Sequence, residues 1–160
     1  MKRYTHLLNL LSHVLILVGL DQGSKQWILN LLESGQLPWR VTSWFTVTYT
    51  KNTGISFGWF KTQTPWMFAL VSFAIVTWLA FWCVRTRDAW ERGALTLIIG
   101  GAVGNMIDRL IRAGVIDFID VHAWGWHFPA FNLADAFITT GVLVVVIELL
   151  WTTYGRKRRA

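Results

Sequence analysis

The sequence predicts an all-α membrane protein of four transmembrane helices with a small β-rich platform in its outer loops, and three observations predict it. Hydrophobic residues make up 54% of the 160 and charged residues only 15%; the apolar residues gather into long blocks; and the basic residues sit at the ends of those blocks. A helix needs about 20 mostly apolar residues to cross the hydrocarbon of a bilayer, where only the chain itself can satisfy backbone N–H and C=O groups. Segments of this kind cover about residues 7–26, 65–84, 93–109 and 133–151 of a single domain, 1–160.

The first run follows Lys2 and Arg3 as a secretory leader would, but no small-x-small cleavage site follows Gly19. Asp21-Gln22-Gly23-Ser24-Lys25 follows instead, so an uncleaved first span is expected. The next loop holds Val41-Thr42-Ser43-Trp44-Phe45-Thr46-Val47-Thr48-Tyr49-Thr50, whose β-branched and aromatic residues predict a small strand or hairpin system. Its aromatic side chains, with Trp59, Phe60 and Trp66, suit the headgroup level of a bilayer.

The second span contains the single Cys83, which has no disulfide partner and is read as packing. In the third, Gly100 and Gly104 are one turn apart and permit close approach of another helix's backbone. Asn105, Asp108 and Arg109 continue that helix, with Asn105 and Asp108 on one face. The fourth begins after Phe128-Pro129, where Asn132 can cap it and Asp135 falls in its first turn.

The net charge of +6 forms no basic face, so nucleic acid is not an expected partner. The basic clusters are Lys2 and Arg3; Arg85, Arg87 and Arg92; and the tail at 156–159. By the positive-inside rule all three lie in the cytoplasm, which places both termini inside. Loops over about 30–64 and 110–132 then face out, although Arg40, Lys51, Lys61 and Arg112 lie in them. The basic tail is expected to touch anionic lipid.

The carboxylates carry the chemical signal. Asp108, Asp117, Asp120 and Asp135, four of nine acidic residues, fall between the end of the third span and the start of the fourth. An acid inside a membrane costs on the order of 2.5–3.5 kcal/mol, so Asp21, Asp108 and Asp135 each require a compensating role. Asp135 has a plain structural reading, a carboxylate stabilised by a helix N-terminus. Asp117 has none as good, because Gly114-Val115-Ile116-Asp117-Phe118-Ile119 is an apolar, extended run. Two carboxylates close together in a low-dielectric pocket cannot both ionise comfortably; one keeps a proton while the other activates water, an arrangement able to hydrolyse a peptide bond without a metal. Topology brings both residues to the outer surface without proving that they meet.

Other readings compete. Asp21, His13 and Asp108 could relay protons in a small transporter or channel. Ser24 and Lys25 could act as nucleophile and base, although neighbours on a helix point apart. His122 and His127 lack zinc-ligand spacing and are read as interfacial loop residues, so neither a metal nor another cofactor is expected.

Four blocks decide among these readings: Asp21-Gln22-Gly23-Ser24-Lys25; Asn52-Thr53-Gly54-Ile55-Ser56-Phe57-Gly58; Gly100-Gly101-Ala102-Val103-Gly104-Asn105-Met106-Ile107-Asp108-Arg109; and Gly114-Val115-Ile116-Asp117-Phe118 leading to Phe128-Pro129-Ala130-Phe131-Asn132-Leu133-Ala134-Asp135. In order, spacing and position the chain resembles the lipoprotein signal peptidases, or signal peptidase II, over nearly its whole length. The resemblance implies an aspartic endopeptidase of the bacterial inner membrane that cuts diacylglyceryl-modified prolipoproteins just before the lipidated Cys. It assigns the catalytic pair to Asp117 and Asp135. It also implies that Asn52, Gly54, Asn105, Asp108, Arg109 and Asn132 line or brace the site, and that Asp21 and Lys25 hold the first helix. Membrane lipids and the cyclic peptide globomycin are implied partners, and a monomer is expected. Ser24, Ile55 and Ser56 depart mildly from the usual pattern, and none of them touches the proposed chemistry.

Overall fold

The computed structural model describes residues 2–53 and 65–157. Gly54, Ile55, Ser56, Trp59, Phe60 and Lys61, the side chain of Trp66 and the basic tail's side chains lie outside the described residues. Among the described residues four helices make the body: α1 (Lys2–Glu33), α2 (Pro65–Arg85), α3 (Ala89–Arg112) and α4 (Leu133–Lys157). All four are long and apolar enough to cross a membrane, in the regions where the sequence predicts spans. The strands are β1 (Trp39–Arg40), β2 (Phe45–Asn52), β3 (Val115–Ala123) and β4 (Trp126–His127), an antiparallel sheet in the order β1-β2-β3-β4.

α3 is the hub, packing against α1, α2 and α4. It starts where Asp88 caps it, Oδ1 accepting from the backbone N–H of Trp90 and Glu91 at 2.7 and 3.0 Å, and ends where Ala113 turns left-handed at φ 53°. Its glycines allow the approach, though with partners other than those the spacing predicts. Gly100 and Gly104 meet the side chains of Leu17 and Asp21, also one turn apart on α1, whereas it is Gly101 that meets backbone: a Cβ there would overlap the carbonyl oxygen of Ala134 on α4. Cys83 is buried with Leu10, Leu79, Leu95 and Ile99, as its packing role predicts.

α1 continues to Glu33, well past the predicted limit near 26, because nothing breaks it before Gly35 at φ 68°. At about 1.5 Å per residue its 32 residues span about 48 Å, more than a bilayer core. The excess carries the sheet, for Ile28 packs in a buried cluster with Val47, Ile116 and Phe118. The helices thus extend into both predicted outer loops, taking residues 30–33 and 110–112.

The strand predicted around 41–50 is β2, shifted to 45–52. Its partner β3 comes from the other outer loop, so the two loops form one sheet. Along β3 the pleat sends Ile116 and Phe118 to one face, onto α1, and Asp117 to the other. Past the turn at Trp124 and Gly125 the chain runs back beside β3: the N–H of Ile119 donates to the carbonyl of Phe131 at 2.8 Å, and that of Phe131 to the carbonyl of Ile119 at 3.2 Å. This return strip delivers Asn132 and the start of α4 to the Asp117 face of the sheet. His122 and His127 lie on β3 and β4, rather than in a loop, with rings stacked at 4.8 Å, and the Asp120 carboxylate accepts from His127 Nδ1 at 2.9 Å.

Candidate active site

Asp117 and Asp135 converge where β3, the return strip and the first turn of α4 meet. Asn132 joins them. As the N-cap of α4, its Oδ1 accepts from the backbone N–H of Asp135 at 2.9 Å, while Asp135 Oδ2 accepts from the backbone N–H of Asn132 at 3.2 Å. This reciprocal pair is a capping box, which satisfies two otherwise orphaned donors. The other end of the same amide, Nδ2, donates to Asp117 Oδ1 at 2.7 Å. One fully buried residue therefore ties both aspartates, its side chain holding the Asp117 carboxylate and the Asp135 backbone while its own N–H holds the Asp135 carboxylate.

Each aspartate has a further amide. Asn52 Nδ2 donates to Asp117 Oδ2 at 3.0 Å. An irregularity in β2 between Val47 and Thr50 sets this up: Val47 lies opposite Ile119 but Thr50 opposite Asp117, so Asn52 falls diagonally across from Asp117 on the same face. Asn105 Nδ2 donates to Asp135 Oδ1 at 2.8 Å. The environments differ otherwise, since Asp117 is 3% exposed and Asp135 only half-buried. Burial pushes the Asp117 carboxyl above the usual range; the Asn52 bond opposes this, the charge of Asp135 adds to it, and Asn132 and Lys25 oppose it.

Beneath the pair lies a buried ionic cluster. Lys25 Nζ is 2.8 Å from Asp21 Oδ2, 2.8 Å from Asp108 Oδ2 and 3.0 Å from Asn105 Oδ1, which confirms that Asn105 and Asp108 share a face. Asp21 Oδ1 accepts from the backbone N–H of Ala134 at 3.0 Å, and Asp108 Oδ2 from that of Ile116 at 3.3 Å. Asp108 and Arg109 part company, as adjacent helical residues must. Arg109 places Nη1 3.3 Å from its own helix's Asn105 carbonyl and its guanidinium 5.9 Å from the Phe68 ring centroid.

Sequence reasoning passed over Gln22 and Arg112. Gln22 Nε2 donates to Asp21, Asp108 and the Gly104 carbonyl within 3.0–3.1 Å, and Arg112 Nη1 lies 2.6 Å from Asp108 Oδ1. Gln22 lies between Asp21 and Lys25 in the first of the four blocks, and Arg112 lies four residues after Asp108, the spacing of a helical ion pair, so both carry a usable signal. The rival readings find less support. His13 is exposed and bonded to the Asn9 carbonyl at 2.7 Å, not packed between helices, and no described hydrogen bond links it to Asp21 or Asp108. Ser24 Oγ donates to the Asp21 carbonyl at 2.7 Å while Lys25 is committed to two carboxylates.

A family model described as signal peptidase (SPase) II matches residues 13–151. Among curated relatives, a lipoprotein signal peptidase of Rickettsia akari (strain Hartford) is 40% identical over 139 residues, covering 84% of this chain and 71% of the relative. Another, of Burkholderia ambifaria (strain MC40-6), is 40% identical over 147 residues, covering 89% and 88%. Two solved structures, each described as a bacterial membrane enzyme, match at a TM-score of 0.75 and 26% identity, covering 91% and 89% of this chain and 89% and 92% of theirs.

Proposed function

The chain belongs to the signal peptidase II family, and from that premise we propose that this multi-pass membrane protein removes signal peptides from prolipoproteins, with Asp117 and Asp135 as its catalytic pair. The observation that carries the assignment is the Asn132 amide, bonded to both residues at 2.7 and 2.9 Å. It holds two acids side by side at different depths, which suits them to opposite roles.

Asp117, whose carboxyl burial pushes upward, keeps the proton. Asp135, at the N-terminus of α4, acts as the base. A water placed between them gives a proton to Asp135 as its oxygen adds to the scissile carbonyl, and Asp117 protonates the carbonyl oxygen to give a gem-diol. Collapse returns a hydroxyl proton to Asp117, while the proton on Asp135 passes to the leaving amine. The C–N bond breaks and both residues regain their starting states.

The basic clusters support a reading in which the termini lie in the cytoplasm and the sheet end on the outer side of the bacterial inner membrane. There a diacylglyceryl-modified Cys would present the preceding bond at the depth of the pair, and globomycin would occupy the same place in a monomer. The deciding experiment is cleavage of lipidated and unlipidated precursor by purified enzyme and by Asp117→Asn and Asp135→Asn. Only the lipidated precursor should be cut, and by neither variant; full turnover in either variant would overturn the pair.

A further inference from the structure

Lys25 is an expensive residue to keep where it is. Its ammonium is fully buried, and its contacts go beyond what holding a helix requires. Two of its three partners are carboxylates that also grip backbone next to the reacting residues, Asp21 through its other oxygen and Asp108 through the oxygen that Lys25 itself holds. Asp21 holds the N–H of Ala134, the residue before Asp135; Asp108 holds the N–H of Ile116, the residue before Asp117. The third partner, Asn105 Oδ1, also receives Asn132 Nδ2 at 3.3 Å. With two donors on that oxygen the amide has one workable orientation, which aims Nδ2 at Asp135. Gly104 makes room, since a Cβ there would lie 2.5 Å from Asp21 Oδ2.

We propose that Lys25 is a positioning residue for the aspartate pair: through Asp21 and Asp108 it fixes the backbone ahead of Asp135 and Asp117, and through Asn105 it orients the donor on Asp135. The inference rests on reading those two residues as catalytic. The charged groups around Lys25 are Asp21 on its own helix, Asp108 and, through it, Arg112 on α3, with Asp117 on β3 and Asp135 on α4 beyond.

The test uses the full chain with lipidated precursor and measures kcat, KM, thermal stability and the pH profile. Lys25→Met leaves Asp21 and Asp108 with one cation between them and can fail to fold, so Asp21→Asn/Lys25→Gln is made beside it to restore the charge balance. In the folded double variant kcat should fall about 100-fold, the scale of an ångström's misplacement, with KM within about threefold. Its alkaline limb should move up, because the Lys25 charge no longer favours ionised Asp117. Lys25→Arg keeps the charge but cannot reproduce three compact contacts, so its alkaline limb should stay in place while kcat falls about tenfold. Wild-type kcat in either the double variant or Lys25→Arg, or losses that follow only the folded fraction, would make Lys25 a brace and overturn the proposal. Asp117→Asn and Asp135→Asn are assayed alongside: turnover in those sinks the catalytic pair itself, whereas their inactivity with unchanged Lys25 variants sinks only this inference.

Discussion

At its sheet end the bundle buries Asp21, Lys25, Asn105, Asp108, Asp117 and Asn132 in one connected set of hydrogen bonds, whereas toward the other end Leu10, Leu79, Cys83, Leu95 and Ile99 form an apolar interior. At the polar end the buried groups are fully bonded: among the described residues every buried side-chain nitrogen and oxygen has a partner. At the apolar end α1 and α3 leave a groove of about 450 Å³ beside Leu10, His13, Leu17 and Arg92. Lipid is as apolar as leucine, so burying leucine between helices in a bilayer gains little beyond packing, and looseness there is cheap. A charge that loses its partner away from water costs about 3–5 kcal/mol, so the polar end tolerates one arrangement. Precision in this molecule resides where its burial is most costly.

The largest break in that contrast should come from Asp117→Asn and Asp135→Asn, each lowering kcat by at least about 10³-fold in a cleavage assay. Stability should respond differently. Burial raises the folded-state value of Asp117 above its unfolded one, so its contribution is fully present below the ordinary carboxylate range and is lost as pH rises through the raised value. Asp117→Asn removes that loss, and its Tm should match or exceed the wild type at neutral pH. A fall in its Tm by several degrees would show that the ionised carboxylate stabilises the fold.

Gly104→Val comes next. It forces Asp21 away from the cluster, and kcat should fall about 100-fold as α4 shifts, with a clear drop in Tm. Asn52→Ala removes one donor to Asp117 and should lower kcat about tenfold, a loss on the scale of one hydrogen bond to a charged group. Its alkaline limb should move to higher pH, since that donor favours the ionised form; an acid limb that moved up while the alkaline limb stayed would reverse the proton assignment. The smallest effect on catalysis belongs to the apolar end. Leu95→Ala should cost about 2 kcal/mol in unfolding measurements and leave kcat of the folded enzyme within about twofold.

The same contrast explains what could be read from sequence. The spans were legible because apolar runs of sufficient length have few alternatives in a bilayer, and Asp117 stood out because its apolar neighbours left a carboxylate without a bland reason to be there. Asp135 was harder to single out, since a helix start accounts for it, and the structure gives it both a capping bond and a place beside Asp117. The bridge by Asn132 was not legible: it depends on the return strip pairing with β3, a long-range register that neither segment announces. Nor was the placement of Asn52, which turns on one irregularity in β2. The overrun of α1 to Glu33 was missed because hydropathy marks where a helix leaves lipid, not where it ends.

The bond from Asp21 to the N–H of Ala134 joins the first helix to the last. A chain threaded into the bilayer in order of synthesis would hold Asp21, Lys25 and Asp108 early, but Ile116 and Asp117 only after α3, and Ala134 and Asp135 last of all. The cap, the bridge and the second aspartate all come with that last segment, so on the proposed reading a chain that stops before Asn132 holds Asp117 without its partner.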